Sequence, residues 1–103
     1  MSFSWKGQTF EGLFASASEL KTVSGIYVIW CVGKNGMKPL DVGETEDVQF
    51  RVTNHDRADC WREHCSDKIM YSAIYILGLD EDGRRKIESR IKSLLGDIPC
   101  GDR

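Results

Sequence analysis

From Ile26 to Val32 the chain runs Ile-Tyr-Val-Ile-Trp-Cys-Val, with no charged or strongly polar residue among them. β-Branched and aromatic side chains lose rotamer freedom in a helix and pack well on a pleated surface. A strand with one wet face alternates apolar and polar residues, so an unbroken apolar run marks a strand covered on both faces. The run leads into Gly33-Lys34-Asn35-Gly36, where Asn-Gly is a strong tight-turn pair, and Met37 to Val42 returns as a hairpin partner. Pro39 has no N–H to give a ladder, which puts this second strand at a sheet edge. Whatever the chain folds into must therefore supply cover for both faces of this one strand.

Ile69 to Leu77 reads as a third apolar strand. With the second strand at an edge, the third most simply pairs on the other side of the first, in spatial order 2-1-3. Thr45 is the expected N-cap of a helix, with Glu46 and Asp47 in its first turn. Val48, Arg51, Val52 and His55 then fall on one helical stripe. A second short helix is expected near Asp59 to Cys65. The last begins around Asp82 or Gly83, buries Ile87, Ile91, Leu94 and Leu95, and stops by Gly96 and Pro99. Residues 1–23 read as an N-terminal extension, with Trp5, Phe10, Leu13 and Phe14 anchoring a short strand or turn. The expectation is one α+β domain over 1–103, core about 24–99, built on a small three-stranded antiparallel sheet flanked by helices.

The formal net charge is -2, so bulk charge draws no polyanion and a nucleic-acid partner must meet a local basic face. No apolar run approaches the roughly 20 residues of a membrane span, and Met1-Ser2-Phe3-Ser4-Trp5 has no basic region ahead of an apolar one. A cytoplasmic protein with no membrane partner is expected. Cys31, Cys60, Cys65 and Cys100 are then expected as reduced, partly buried thiols. A structural zinc site using His55, Cys60 and Cys65, with His64 nearby, is the alternative, although His-x4-Cys-x3-His-Cys matches no standard finger spacing.

Five short elements occur in a fixed order: Gly25-Ile26-Tyr27, Asp41-Val42-Gly43, Arg51 with His55, Ile87-Glu88 with Ile91, and Pro99. Together they resemble the GIY-YIG endonuclease superfamily from about Ser24 to Pro99. Asp41 stands where that family has its second tyrosine. The resemblance implies a metal-dependent endonuclease that hydrolyses nucleic-acid phosphodiesters, with Tyr27, Arg51, His55 and Glu88 as its catalytic set. Glu88 would hold one divalent cation, Mg2+ or alternatively Mn2+, and Arg51 would clamp the scissile phosphate. Tyr27 would act as base or water-orienter, His55 would share its proton path, and Asp41 would add a base or a second metal ligand.

Asp41, Glu44, Glu46 and Asp47 are expected to crowd acidic charge beside that site. Arg84, Arg85 and Lys92 form a basic stripe able to bind substrate phosphates. DNA is the expected partner, with recognition left to a separate subunit or a homodimer. The rival reading is a catalytically impaired module of the same fold that binds nucleic acid or a protein without cleavage.

Overall fold

The computed structural model describes residues 1–101. Strand β1 (Ser2–Trp5) and β2 (Gln8–Phe14) are followed by a 3₁₀ turn at Ala17–Glu19. The hairpin of β3 (Gly25–Gly33) and β4 (Gly36–Thr45) comes next, then helices α1 (Val48–Thr53) and α2 (Ala58–Glu63). Strand β5 (Lys68–Tyr75) and helix α3 (Glu81–Leu95) complete the described chain.

The α+β arrangement holds a larger sheet than the expected three strands. Five antiparallel strands stand in the order β1-β2-β5-β3-β4. The two extra strands come from the segment read as an extension. They are joined by Lys6-Gly7, whose φ values of 50° and 84° are both left-handed, as a tight hairpin between right-twisted strands requires. Lys-Gly is a weaker turn signal than Asn-Gly, and short β1 has too few residues for a visible alternation. In the second hairpin Lys34 and Asn35 form the tip, and Gly36 carries the positive φ of 115°. Strand β4 occupies the edge, and Leu40 is left without a cross-strand partner between the pairs Ile29–Asp41 and Trp30–Pro39.

Both faces of β3 are covered, as its composition demands. Tyr27, Ile29 and Cys31 face α1, α2 and the C-terminal tail, packing with Val48, Val52, Trp61 and Cys100. Ile26, Val28 and Trp30 face the other way, against Phe10, Ile91, Leu95 and Ile98. Phe3, Trp5 and Phe10 surround the Trp30 ring, whose Nε1 donates to Ser72 Oγ at 2.7 Å. The added hairpin thus seals the half of the sheet that α3 does not reach. Among the expected α3 core residues, Ile91 and Leu95 are buried while Ile87 and Leu94 are half-buried.

Helix starts differ from expectation because aspartates take the caps. Asp47, not Thr45, accepts from the Phe50 N–H at 3.0 Å, and Thr45 Oγ1 instead accepts from the Asp47 N–H at 3.1 Å. Asp80 accepts from the Gly83 N–H at 2.9 Å and starts α3 at Glu81. A carboxylate at an N-cap also complements the positive end of the helix dipole.

The cysteines are not reduced thiols. Cys31 is bonded to Cys65 and Cys60 to Cys100. The zinc set of His55, Cys60 and Cys65 therefore does not assemble, since the two cysteines belong to different bridges. Helix α2 has six residues, too few to hold alone in water. Its bridge to the tail, and the bond from Cys31 to the residue just beyond it, fix it against the sheet. A Cys60→Ala/Cys100→Ala double variant, freed of a cross-link spanning 40 residues, is expected to lose about 3–4 kcal/mol of stability. Urea unfolding of oxidised parent and variant measures the difference.

Candidate active site

Tyr27 lies opposite Gly43 across the β3–β4 ladder. A Cβ at position 43 would sit 2.2 Å from the Tyr27 hydroxyl oxygen, so the phenol crosses the neighbouring strand only because that residue is glycine. The crossing delivers the hydroxyl to the open edge of the sheet. There a shallow cleft of about 260 Å³ is lined by Tyr27, Gly43, Glu44, Arg51, Arg57, Arg85 and Glu88. Helix α1 supplies Arg51 from one face of the sheet, and α3 supplies Arg85 and Glu88 from the other.

Tyr27, Arg51 and Glu88, three of the four residues expected to be catalytic, thus share one cleft. The fourth, His55, stands behind it with a fully buried side chain. Its Nδ1 accepts the Arg57 backbone N–H at 3.0 Å, which puts the ring proton on Nε2. That Nε2–H donates to the Tyr27 hydroxyl oxygen at 2.6 Å, and Arg57 Nη2 donates to the same oxygen at 3.3 Å. With two donors already aimed at it, the phenol must direct its own proton elsewhere, towards the cleft. Burial, assisted by the Asp41 charge, pushes the Tyr27 hydroxyl up to about 12 despite opposing pulls from Arg57 and Arg51. Burial, with Arg51 and Arg57 adding to it, lowers His55 to about 4. Both rings are neutral at pH 7.

Asp41 does not line the cleft. It is wholly buried, and its two oxygens accept from Arg57 Nε at 2.9 Å, Arg57 Nη2 at 3.0 Å, Trp61 Nε1 at 2.7 Å and the Val42 N–H at 2.8 Å. A carboxylate so fully engaged is an orienting group, and what it orients is Arg57. Arg57 was not among the residues expected at the site. The signal that could have found it is Asp41 itself: a carboxylate in a strand between two apolar residues needs a cation from elsewhere.

The expected acidic crowding is dispersed. Glu44 accepts from Arg84 Nε at 2.9 Å and lies 4.0 Å from Arg85 Nε, and Asp47 is spent as a cap. Arg84, expected on a substrate-binding stripe, is buried between Glu44 and the Leu79 carbonyl, pinning α3 to β4. Arg85 reaches the cleft while paired with Glu81 at 2.6 Å. Lys92 does not line the cleft, although its charge acts on Glu88 from one turn away. Arg51 pairs with exposed Asp56 at 2.9 Å, and that hydrogen bond holds the Asp56 carboxyl below its ordinary range. So exposed an ion pair exchanges readily for a better anion.

Glu88 differs from its neighbours. Among the described residues no hydrogen bond or ion pair engages its carboxylate, and burial raises its pKa, with Glu44 adding to the effect and Lys92 opposing it. A partly desolvated carboxylate beside a second acidic residue is a place where a cation is favoured.

Two outcomes follow for the buried network. Because the folded-state pKa of His55 lies below its unfolded value, the unfolded chain binds the proton more readily between about pH 6.5 and 4. Stability should therefore fall as pH drops through that window, and the His55 ring should stay neutral until about pH 4 in an NMR titration. Arg57→Ala leaves the Asp41 charge buried without its partner and is expected to cost about 3–5 kcal/mol in denaturant unfolding.

A scan against protein-family models, a search of curated proteins and a search of solved structures each found no significant match to this chain.

Proposed function

We propose that this protein hydrolyses phosphodiester bonds of nucleic acid with the help of one divalent cation, Mg2+ in the first place and Mn2+ as the alternative. The observation that carries the reading is the convergence on one shallow cleft of a phenol, three guanidinium groups and a carboxylate with no hydrogen bond or ion pair among the described residues. Glu88 is the residue suited to the cation. Magnesium keeps most of its waters and needs only one or two carboxylates, which fits one desolvated glutamate at an open edge. Such a cation, when bound, would acidify a coordinated water and relieve phosphate charge.

The chain's own groups divide the remaining work. Arg51 exchanges Asp56 for the substrate phosphate, which its planar fork can grip through two oxygens. Arg57, held rigidly by Asp41, adds a second fixed positive charge. Tyr27 presents its hydroxyl proton to the cleft and orients the attacking water or a phosphate oxygen, rather than acting as a base. His55 has no free nitrogen to accept a proton: Nε2 carries one and Nδ1 is occupied by the Arg57 N–H. It is a positioning residue for Tyr27.

The rival reading, binding without cleavage, is favoured by one observation. Asp41 stands where the resembled family has a second tyrosine, and it is sealed away from the cleft, which leaves one phenol there. A plasmid-nicking assay with Mg2+ or Mn2+ separates the two. The parent should nick DNA, and Glu88→Ala should reduce the rate at least about 100-fold, as expected when a transition-state charge partner is removed. Equal trace activity in both proteins ends the nuclease reading, and salt-dependent DNA binding without nicking supports the rival. DNA as substrate, and recognition through a separate subunit or homodimer, belong to this proposal. No helix among the described residues is long and apolar enough to cross a membrane. The two disulfides favour an oxidising compartment over the expected cytoplasm.

A further inference from the structure

Beside the Tyr27 network, one residue along α2 from Trp61, Cys60 forms with His64 and Cys100 a second cluster of reactive side chains. Cys60 and His64 are one helical turn apart and so project to the same side. Cys100 arrives from the C-terminal tail. The His64 Nδ1 atom lies 3.6 Å from Cys60 Sγ and 3.9 Å from Cys100 Sγ, and the three atoms all lie within 4.8 Å of one another. A tetrahedral zinc with Zn–S of about 2.3 Å and Zn–N of about 2.0 Å has an S···N edge of about 3.5 Å. Two of the three edges of such a site are therefore already near their final length.

We propose that Cys60, His64 and Cys100 constitute a zinc site that is available when the Cys60–Cys100 disulfide is reduced and closed when it forms. The two states exchange by balanced steps. Two molecules of a small thiol deliver two electrons and two protons, the S–S bond becomes two thiols, and the reductant leaves as its own disulfide. Zinc then replaces the two thiol protons, which are released to water, and the imidazole binds through its Nδ1 lone pair. In the disulfide form Nδ1 faces the Cys60 carbonyl oxygen at 3.0 Å and carries the ring proton, so metal binding moves that proton to Nε2. Water fills the fourth position.

Besides the bridges, contacts made without sulfur hold the parts of the site, α2 through the bond from Trp61 Nε1 to Asp41 at 2.7 Å and the tail through its backbone. The Cys100 N–H donates to the Leu40 carbonyl of the edge strand at 2.8 Å, and the Gly101 N–H to Ile98 at 3.0 Å. The His64 N–H donates to Cys60 within the last turn of α2 at 3.1 Å. None of these three bonds involves sulfur. His64 is exposed, which gives the ion a path in from solvent. The other bridge contributes no sulfur to the cluster. The proposal is independent of the nuclease reading, since none of the three residues lines the Tyr27 cleft.

The test uses the full chain carrying Cys31→Ser and Cys65→Ser, which leaves one disulfide to switch. Oxidised and phosphine-reduced samples are titrated with Zn2+ against a chelating dye, and with Co2+ to read thiolate-to-metal absorption. Near-UV circular dichroism monitors the fold throughout. The reduced, folded protein should bind one equivalent and the oxidised protein none, with two protons released per ion. His64→Ala, a change at an exposed position, should weaken binding at least tenfold while leaving the fold unchanged. Three results overturn the proposal: no binding by the reduced folded chain, equal binding by His64→Ala, or binding only once the dichroism shows an unfolded chain.

Discussion

A carboxylate with no solvent exposure lies in the middle of β4, and much of the molecule is arranged to make that tolerable. Removing an ion from water costs several kcal/mol unless every lone pair is met. Asp41 meets this demand with two bonds from Arg57, one from Trp61 and one from its neighbour's backbone. Each donor then does a second thing. Trp61 is drawn inward against the His55 ring, and Arg57 extends past Asp41 to the Tyr27 hydroxyl. The position of α2, the tautomer of His55 and the direction of the Tyr27 proton all descend from one buried charge.

The cleft depends equally on something missing. At Gly43 the sheet has a gap through which an aromatic ring from one strand reaches past the next. Without it the phenol would stay over the core, beside Ile29 and Cys31, and would be an ordinary packed aromatic. With it, chemistry from β3 is placed at an edge that α1 and α3 flank from opposite faces. Most of the charges drawn there are matched by pairing, Glu44 with Arg84 and Arg51 with Asp56. Among the described residues Glu88 is the exception, and the functional proposal rests on that imbalance.

How far the sequence could be read follows the range of each interaction. The apolar run of β3 required cover on both faces, and Pro39 pointed to an edge, because these are properties of a residue and its immediate neighbours. The N-terminal hairpin escaped notice since its turn is Lys6-Gly7 and its strands are short. It belongs to the sheet through pairing with β5, some sixty residues later in the chain. The first cap moved from Thr45 to Asp47, and the start of α3 from around Asp82 or Gly83 to Glu81, shifts of one or two residues that local propensity does not resolve.

The sequence by itself determined that the chain has a strand covered on both faces, a tight hairpin at Asn35-Gly36 and a long amphipathic final helix. Only the tertiary structure decided that the His55 imidazole serves the Tyr27 phenol from behind, that Asp41 works through Arg57, and that the four cysteines pair as they do. Those outcomes rest on partners 16 to 40 positions apart. Periodicity reports which face a side chain occupies, whereas the choice of partner for a buried charge or a sulfur is made by proximity in three dimensions.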